Sequence, residues 1–469
     1  MSRMIEKLQK MDQIYIGLEL LYEDLNNYLE SDFSGEQKVI CIKRLTEMKN
    51  SSSELNLEIT ALLDRIQVLV SGTVDTGLYK MIYAFVQKTQ EIFNKIYLSS
   101  MCNEDSYKEE CLMNYYGTQY EKNALLVYIL LPFVVKDIVP GHTNQVEAKM
   151  IAETLSEKGY NVDLINTRHI GEVDVEKYDL IIGEGKVFEK LCRNSSKDTQ
   201  TIYYLTRSSS YFSNIAELKR IRDFEKRNHF KPRFERFASD LLDIPLLTEM
   251  DAAICLGNEH TASTYEGMFK KVYPLNVTGF SNYQLPYIKK TRAGNNFLWY
   301  GGAGPIHKGL DLCIEAFRNL PDLKLHIVGE LTEELYNFYK NDIEQSENIF
   351  YYGFLRKDSE LFLQVCEACD YCLSPSCSEG QSTAVVTAMY SGIIPVCTKE
   401  TGIDVEKAGG FIIDDIEINA LSRLIRKLSE MDVTELELRQ KKVYEYTVSN
   451  HSEERYRECL GRIMDDLIM

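Results

Sequence analysis

The feature that most constrains this chain is an alternation of short apolar runs with helical stretches, which occurs twice in succession after residue 123. Strands that are apolar on both faces and alternate with helices are typical of parallel α/β sheets. The first series predicts strands at 124–131, 161–165, 178–182, 201–205, 251–256 and 271–275. The second series predicts strands at 297–300, 323–328, 349–352, 371–374, 394–398 and 411–413. We therefore expect two Rossmann-like domains facing a cleft, with the loops at the carboxyl ends of their strands turned toward it.

The segment before these series differs in its composition and in the spacing of its apolar residues. No proline precedes Pro132, and apolar residues recur with alternating spacings of four and three at Met4, Leu8, Met11, Tyr15, Leu18, Tyr22, Leu25 and Leu29. Such a seam predicts an amino-terminal all-α domain, a helical bundle or a coiled-coil hairpin. The seam must be buried within the bundle, against the next domain, or against a second copy of the chain. The last alternative predicts a homodimer through the amino-terminal helices.

The length of 469 residues agrees with several domains. We expect a helical domain at 1–120, an acceptor-side sheet domain at 121–290, a donor-side sheet domain at 291–450, and a carboxy-terminal helix at 451–469. The formal net charge is -18. A nucleic-acid-binding protein needs a basic surface to meet phosphates, so this charge argues against a nucleic-acid partner.

Targeting signals are not evident in the chain. Its amino terminus lacks the pattern of a signal peptide, and the longest apolar run, 124–135, contains Pro132 and is too short to cross a bilayer. We therefore expect a cytoplasmic protein with reduced cysteines. A locally basic stretch at 219–236 has two interpretations. It is either a solvated helix face or a surface that meets anionic lipid or a lipid-diphosphate acceptor, which would place the protein peripherally at a membrane.

The first loop of the second series has the composition of a phosphate site. After the strand at 297–300 come Gly301, Gly302, Gly304 and Lys308, followed by a helix. Glycines let the backbone approach a ligand closely, and a lysine supplies a point charge for phosphates. A plain strand–helix turn would give the same pattern, so this loop alone does not identify a site.

Three further loops of the second series supply the rest of the pattern. They contain Gly329, then Gly353 and Phe354, and then the run 375–383, which carries one carboxylate, Glu379, and leads into a helix. The free N–H groups of a helix amino terminus suit a diphosphate, and a carboxylate accepts hydrogen bonds from sugar hydroxyls. Together these loops predict a site for an anionic sugar nucleotide.

The second series contains five motifs, in the order "HKGLDL", "VGE", "YYGF", "LSPSCSEGQS" and "AMYSGIIPV". With these motifs in the family's order, residues 297–430 resemble the nucleotide-sugar-binding domain of retaining GT-B glycosyltransferases, specifically their family 4. The upstream stretches "GHTN" and "GYNVD" are similar to the first loop and helix of the acceptor domain in that family. The resemblance implies a GT-B fold whose last helix crosses back to the acceptor domain. It implies transfer of a sugar from a UDP- or GDP-linked donor to a glycan, lipid-linked or other acceptor, with retention of anomeric configuration and without a metal or other cofactor.

Residue roles follow from the same resemblance. Lys308 would bind the donor phosphates, Glu379 would hold the donor sugar, and His142 would contact donor or acceptor, although capping of the following helix explains this histidine equally well. The remaining donor-binding positions would be Gly302, Gly304, Gly329, Gly353, Phe354, Gly380, Gln381, Ser382 and Thr383. The backbone amides of 380–383 would hold the diphosphate and sugar. The acceptor-side positions would be Gly141, Thr143 and Asn144.

Two positions depart from the family pattern. The family has an arginine five residues before the lysine, where this chain has Ala303, and a second glutamate eight residues after the first, where this chain has Thr387. These departures leave open a catalytically impaired protein that binds a nucleotide sugar or glycan without turnover. A second alternative is an interaction protein that works through its helical domain.

A cysteine run raises the question of a metal. Cys366, Cys369 and Cys372 have a C-x-x-C-x-x-C spacing. The first two are predicted on a helix and the third in the following strand, so their side chains would diverge. The sequence therefore predicts no metal site.

Overall fold

The computed structural model describes residues 109–134, 142–239, 241–279, 294–357 and 359–468, together with 43–46, 48, 49, 60, 63 and 66. The chain divides into two compact units. The first comprises Met1–Asn103 with Ser359–Leu361, and the second comprises Glu104–Asp358 with Phe362–Met469.

Few residues of the first unit fall within the described part. Those at 43–66 are helical, and their apolar members Leu45, Met48, Leu63 and Ile66 are buried. The seam at 4–29 lies outside the described residues. The all-α domain and its self-association therefore stay predictions.

The second unit is built on two sheets. Its strands are β1 (Cys111–Leu112), β2 (Lys122–Tyr128), β3 (Tyr160–Asn166), β4 (Leu180–Gly183), β5 (Gln200–Leu205), β6 (Ala252–Leu256), β7 (Val272–Leu275), β8 (Asn296–Tyr300), β9 (Lys324–Val328), β10 (Ile349–Gly353), β11 (Tyr371–Ser374), β12 (Ile394–Cys397) and β13 (Phe411–Ile412). The two predicted series correspond strand for strand to β2–β7 and β8–β13. Most of these strands are buried along most of their length, which is why they are continuously apolar.

The helices of this unit connect and cover the strands. They are α1 (Leu131–Val134), α2 (Thr143–Glu157), α3 (Gly185–Asn194), α4 (Ser210–Asn228), α5 (Ile244–Leu247), α6 (Glu259–Ser263), α7 (Leu310–Phe317), α8 (Glu333–Phe338), α9 (Lys340–Glu344), α10 (Glu360–Ala368), α11 (Thr383–Met389), α12 (Val405–Ala408), α13 (Ile418–Ser429), α14 (Val433–His451) and α15 (Glu453–Ile468). Residues 399–401 form a 3₁₀ turn.

The amino-terminal sheet has the order β1-β3-β2-β4-β5-β6-β7. All its neighbours are parallel except β1, which pairs antiparallel with β3. Two differences from the sequence expectation follow. The strand Cys111–Leu112 lies on this sheet, although the sequence predicts a helical domain up to residue 120. The strand expected at 124–131 ends at Tyr128, and Pro132 lies in the first turn of α1, where a missing N–H costs nothing.

The carboxy-terminal sheet has the order β10-β9-β8-β11-β12-β13 and is entirely parallel. Numbered from its own first strand, this is the 3-2-1-4-5-6 order of dinucleotide-binding sheets. The order reverses between β8 and β11. A ligand crevice forms at such a reversal, because the loops after its two strands leave in opposite directions.

The last helix, α15, lies against the amino-terminal sheet domain. The hydroxyls of Tyr456 and Tyr204 are 2.8 Å apart in a buried contact, and Lys271 Nζ lies 2.5 Å from Asp466 Oδ2. The chain therefore returns from the second sheet to the first before it ends. Among the helices of the described part, none is long and apolar enough to cross a membrane.

Candidate functional site

Lys308 lies in the loop between β8 and α7, and its backbone is fixed on both sides. Its N–H donates to the carbonyl of Gly304 at 2.9 Å, and its own carbonyl accepts from the indole Nε1 of buried Trp299 at 3.2 Å. Trp299 comes from β8 itself, so the strand that ends at the crevice also holds the loop. This arrangement sets the direction of the Lys308 side chain.

Glu379 meets Lys308 from the loop after β11. The carboxylate Oε1 forms an ion pair with Lys308 Nζ and accepts a hydrogen bond from Ser376 Oγ at 3.3 Å. The side chains of Lys308 and Glu379 are 15% and 8% exposed, respectively. Burial opposes ionisation of the carboxyl, but the charges of Lys308, Arg236 and His307 hold the pKa of Glu379 below its ordinary value. The structure thus brings the two predicted residues together at the reversal of strand order.

Two predicted glycines bring neighbouring loops together. Gly329, directly after β9, has φ = +146°, and a Cβ atom there would clash with the carbonyl oxygen of Gly301. Its N–H donates to the carbonyl of Gly353 at 2.7 Å. Phe354 follows Gly353 and is half-buried. The loops after β8, β9 and β10 therefore meet at one end of the sheet. Gly302 lies in open space there, since a Cβ atom added to it would have no neighbour within 4 Å in the described part of the chain.

The run 380–383 is only partly available to a ligand, which corrects the expectation that all its amides would hold one. The Gln381 side chain bonds the N–H of Val277, the amide oxygen of Asn276 and the carbonyl of Gly402. The Ser382 N–H donates to the carbonyl of Thr401 at 3.0 Å. These groups hold the loop to its surroundings, while Thr383 begins α11.

His142 caps α2. Its Nδ1 accepts a hydrogen bond from the Asn144 N–H at 3.2 Å, and Thr143 is the first residue of the helix and is buried. Of the two interpretations of this histidine, capping is what the structure shows. Gly141 lies outside the described residues.

The surroundings of His142 are electropositive. Desolvation by the surrounding protein disfavours the charged ring, and the positive charges of Lys357, Lys308 and Arg236 act in the same direction. Together these effects lower the pKa of His142 to about 4, so the ring is neutral at pH 7. In a protein with net charge -18, a concentration of cations at one place favours an anionic ligand there.

The basic stretch 219–236 does not form one solvated face. Arg220 of α4 is buried and donates to the carbonyls of Pro375 at 2.8 Å and Ile306 at 3.4 Å, both in the carboxy-terminal sheet domain. Arg227 pairs with Asp311 at 2.5 Å and Glu315 at 3.0 Å on α7. These arginines join the two sheet domains, which corrects the expectation of a membrane surface along the whole stretch.

A buried ion pair lies beside Arg220. The Nδ1 atom of His307 is 3.7 Å from Oε2 of Glu217, and its other ring nitrogen is 2.5 Å from the carbonyl oxygen of Ser378. Burial opposes the charged ring, but interactions with Cys377 and Glu217 outweigh burial and raise the pKa of His307 to about 9. Sequence reasoning missed this pair, because Glu217 and His307 are far apart along the chain and neither belongs to a motif with its partner.

The structure shows the surroundings of the two residues that depart from the family pattern, Ala303 and Thr387. Ala303 is exposed at the mouth of the loop. The Thr387 hydroxyl donates to the carbonyl of Thr383 within α11 and is turned away from solvent. Neither position supplies a charge to the crevice.

The cysteine run lies in the core of the carboxy-terminal sheet domain. Cys366, on α10, and Cys369 and Cys372, near and on β11, all carry buried thiols. Within the part of the chain that the structure describes, no three His, Cys, Asp or Glu side chains form a group suited to a metal ion.

Two parallel α/β sheet domains with this connectivity define a GT-B-like fold. The fold is similar to that of sucrose-phosphate synthase from Thermosynechococcus elongatus, with a TM-score of 0.52 and 13% identity over 74% of this chain and 99% of that one. The Anabaena protein HepE, solved in complex with UDP and glucose, aligns with a TM-score of 0.46 and 14% identity over 74% of this chain and 100% of that one.

Residues 287–446 match the family described as Glycosyl transferases group 1. The carboxy-terminal sheet domain, which carries Lys308 and Glu379, is therefore a glycosyl transferases group 1 domain. A glycogen synthase from Thermodesulfovibrio yellowstonii is 28% identical over 130 residues, which are 26% of this chain and 26% of that protein. The match thus spans about a quarter of the length of this curated relative.

Proposed function

We propose that this protein is a glycosyltransferase that moves a sugar from a nucleotide-sugar donor to a hydroxyl acceptor. The observation that carries the proposal is the Lys308–Glu379 pair, held between glycine loops where the strand order reverses. The domain that holds this pair matches the Glycosyl transferases group 1 family. The similarity to a glycogen synthase, named as an enzyme that builds a glycan, supports the same reaction class.

The roles of the residues follow from their charges and positions. Lys308 binds the donor diphosphate, and Glu379 accepts hydrogen bonds from hydroxyls of the donor sugar. Paired as they are, these two side chains neutralise each other. A bound diphosphate would share the Lys308 ammonium with Glu379 and leave carboxylate lone pairs for the sugar. Gly302, Gly304, Gly329, Gly353 and Phe354 shape the walls for the phosphates and the base.

The transfer proceeds with retention of anomeric configuration in this proposal. The bond between the sugar C1 and the diphosphate oxygen breaks, and the diphosphate leaves with the electron pair. The acceptor hydroxyl attacks C1 from the same face and passes its proton to the departing diphosphate. Positive charge from Lys308 stabilises the leaving group, and the cleft orients the two substrates, so neither a nucleophilic side chain nor a metal ion is required.

To test this function, sugar release and sugar transfer are measured with a panel of UDP- and GDP-linked sugars in the presence of EDTA. One donor should be consumed, and proton NMR of the first-formed product should show the anomeric configuration of the donor. Consumption that requires added Mg²⁺ or Mn²⁺ would refute the metal-free mechanism. An inverted product would refute retention.

A second candidate function rests on Ala303 and Thr387, which leave the crevice without two charges expected from the family. A protein that binds a nucleotide sugar without turnover would be stabilised by a donor, because a ligand that binds the folded state raises its stability. It would release neither sugar nor nucleoside diphosphate. Thermal stabilisation by a donor that is not consumed over many hours would favour this candidate.

We also propose that the amino-terminal sheet domain contacts lipid, and that this contact is confined to the loop after α4. Phe234 and Phe237 are 42% and 53% exposed, and their ring centroids lie 5.8 Å apart, close in the chain to exposed Lys231 and Arg233. Exposed aromatics beside cations suit an anionic membrane surface. Cosedimentation with vesicles containing phosphatidylglycerol should fall when both phenylalanines are changed to serine, and unchanged cosedimentation would remove the lipid contact.

A further inference from the structure

Arg236 lies in the segment that follows α4, and the backbone around it is fixed. The N–H groups of Glu235 and Arg236 both donate to Oε1 of buried Glu217, at 3.0 and 2.9 Å. Two residues on, the backbone of Ala238 exchanges two hydrogen bonds with the side chain of Asn214, at 2.8 and 2.9 Å. Both Glu217 and Asn214 belong to α4. The Arg236 side chain therefore leaves from a rigid point on the amino-terminal sheet domain.

The side chain of Arg236 extends over the Lys308 loop of the other sheet domain. A Cβ atom added at Gly304 would clash with Arg236 Cγ and lie 2.9 Å from Arg236 Cδ, so the arginine side chain lies directly over this glycine. The neighbouring Glu235 reinforces this placement, because its Oε2 accepts the N–H of Gly304 at 3.1 Å. Gly304 is next to Ala303, where the chain offers no charge.

The charge of Arg236 acts inside the crevice. After Lys308, it is the strongest positive influence that lowers the pKa of Glu379, and it also contributes to lowering the pKa of His142 at the start of α2. The guanidinium is exposed and forms no hydrogen bond or ion pair with any residue in the described part of the chain. It is a cation at the crevice whose hydrogen-bond donors can meet a ligand.

We propose that Arg236 binds the diphosphate of the nucleotide donor opposite Lys308, and so supplies from the amino-terminal sheet domain the second cation that Ala303 cannot provide. The inference rests on the proposed function and names one more residue of that site. A nucleoside diphosphate carries more than one negative charge, whereas Lys308 alone already faces Glu379. The planar guanidinium can bond two phosphate oxygens at once in a fixed fork, which an ammonium group cannot do.

Titration of the full chain with UDP, UMP, GDP and GMP tests the assignment, using wild type, Arg236→Gln, Arg236→Lys and a matched control. Arg222→Gln is the control, because Arg222 is an exposed arginine on α4. For whichever diphosphate binds the wild type, Arg236→Gln should weaken binding about tenfold or more, the usual effect of losing a charge-assisted hydrogen bond. Arg236→Lys should retain part of the affinity, and Arg222→Gln all of it.

The monophosphates make the test specific to the diphosphate. Binding of UMP or GMP should change less on Arg236→Gln than binding of the matching diphosphate. Unfolding temperatures without ligand should stay equal, because the side chain is exposed. Equal diphosphate affinity in wild type and Arg236→Gln would overturn the role of Arg236 and leave the proposed function intact. Failure of wild type to bind either diphosphate would instead overturn the proposed function, and this inference with it.

Discussion

The two sheet domains present their chemistry to the crevice in different ways. In the carboxy-terminal domain, Lys308 and Glu379 lie on loops directly after β8 and β11, the two strands where the order 3-2-1-4-5-6 reverses. The amino-terminal sheet has the order 2-1-3-4-5-6 from β2 onward, with β1 added at its edge. This domain reaches across with a helix and the segment after it, from which Glu217, Arg220 and Arg236 contact the other domain.

Because of this difference, the two domains have separate roles. The loops of the carboxy-terminal domain hold the proposed donor site, so changes there should act on turnover. Helix α4 instead supplies buried bonds between the domains, so changes there should act on stability. Arg236 combines the two roles, because its backbone is held by α4 and its charge acts in the crevice.

The largest effect is expected for Lys308→Ala in the carboxy-terminal domain. Removing the charge that we propose faces the leaving diphosphate should lower donor turnover by about a hundredfold to a thousandfold, the usual cost of losing one transition-state contact. The measurement is the initial rate of sugar release from the best donor in the panel. Lys324→Ala, which changes an exposed lysine on β9, is the control and should keep the wild-type rate.

A thermal unfolding curve of Lys308→Ala distinguishes lost catalysis from lost fold. The variant should unfold within a few degrees of wild type, because Glu379 can take up a proton once its partner is gone. A wild-type rate in Lys308→Ala would place the phosphates elsewhere.

The next largest effect is expected for Arg220→Gln on α4. The change leaves the carbonyls of Pro375 and Ile306 without their donor in a buried contact, which should lower the free energy of unfolding by about 2–4 kcal/mol. Chemical denaturation measures it. Arg222→Gln, on the exposed face of the same helix, should stay within about 0.5 kcal/mol of wild type. If the two variants lose the same stability, α4 does not join the domains through Arg220.

A smaller effect is expected from pH on the His307–Glu217 pair. The folded-state pKa of about 9 exceeds the ordinary value of 6.5, so the protonated ring stabilises the fold fully below about pH 6.5. This contribution is lost as the pH rises through about 9. Wild type should therefore lose about 1–3 kcal/mol more stability between about pH 6.5 and about pH 9.5 than His307→Gln, which has no ring to titrate. If the free energy of unfolding depends on pH in the same way in both proteins, the His307–Glu217 pair contributes nothing to stability.

The sequence predicted the donor side better than the acceptor side. The strands β2–β13 and the approach of Lys308 to Glu379 were predictable, because apolar runs and glycine loops are local signals that a parallel sheet brings together. The strand Cys111–Leu112 was not, since it precedes the alternating series and pairs with β3, about fifty residues away, which no local pattern reports. Gln381 was assigned to the ligand through its backbone amide. Its side chain bonds the N–H of Val277, about a hundred residues away, and no local pattern reports such a partner.

Local sequence patterns also could not predict the partners of the arginines in and after α4. In sequence, Arg220, Arg227 and Arg236 look like one basic stretch. In the structure the first is buried against backbone carbonyls, the second pairs with carboxylates on α7, and the third extends over Gly304. Their partners are set by the packing of one domain on the other, which periodicity and composition do not encode.

A crystal structure of the full chain with a bound nucleoside diphosphate, UDP or GDP, is the decisive test of the proposed donor site. We expect the diphosphate between the loop after β8 and the loop after β11, with a phosphate oxygen about 2.7–3.2 Å from Lys308 Nζ. A nucleotide bound elsewhere on the protein, or no bound nucleotide at saturating concentration, would contradict the assignment of this crevice as the donor site.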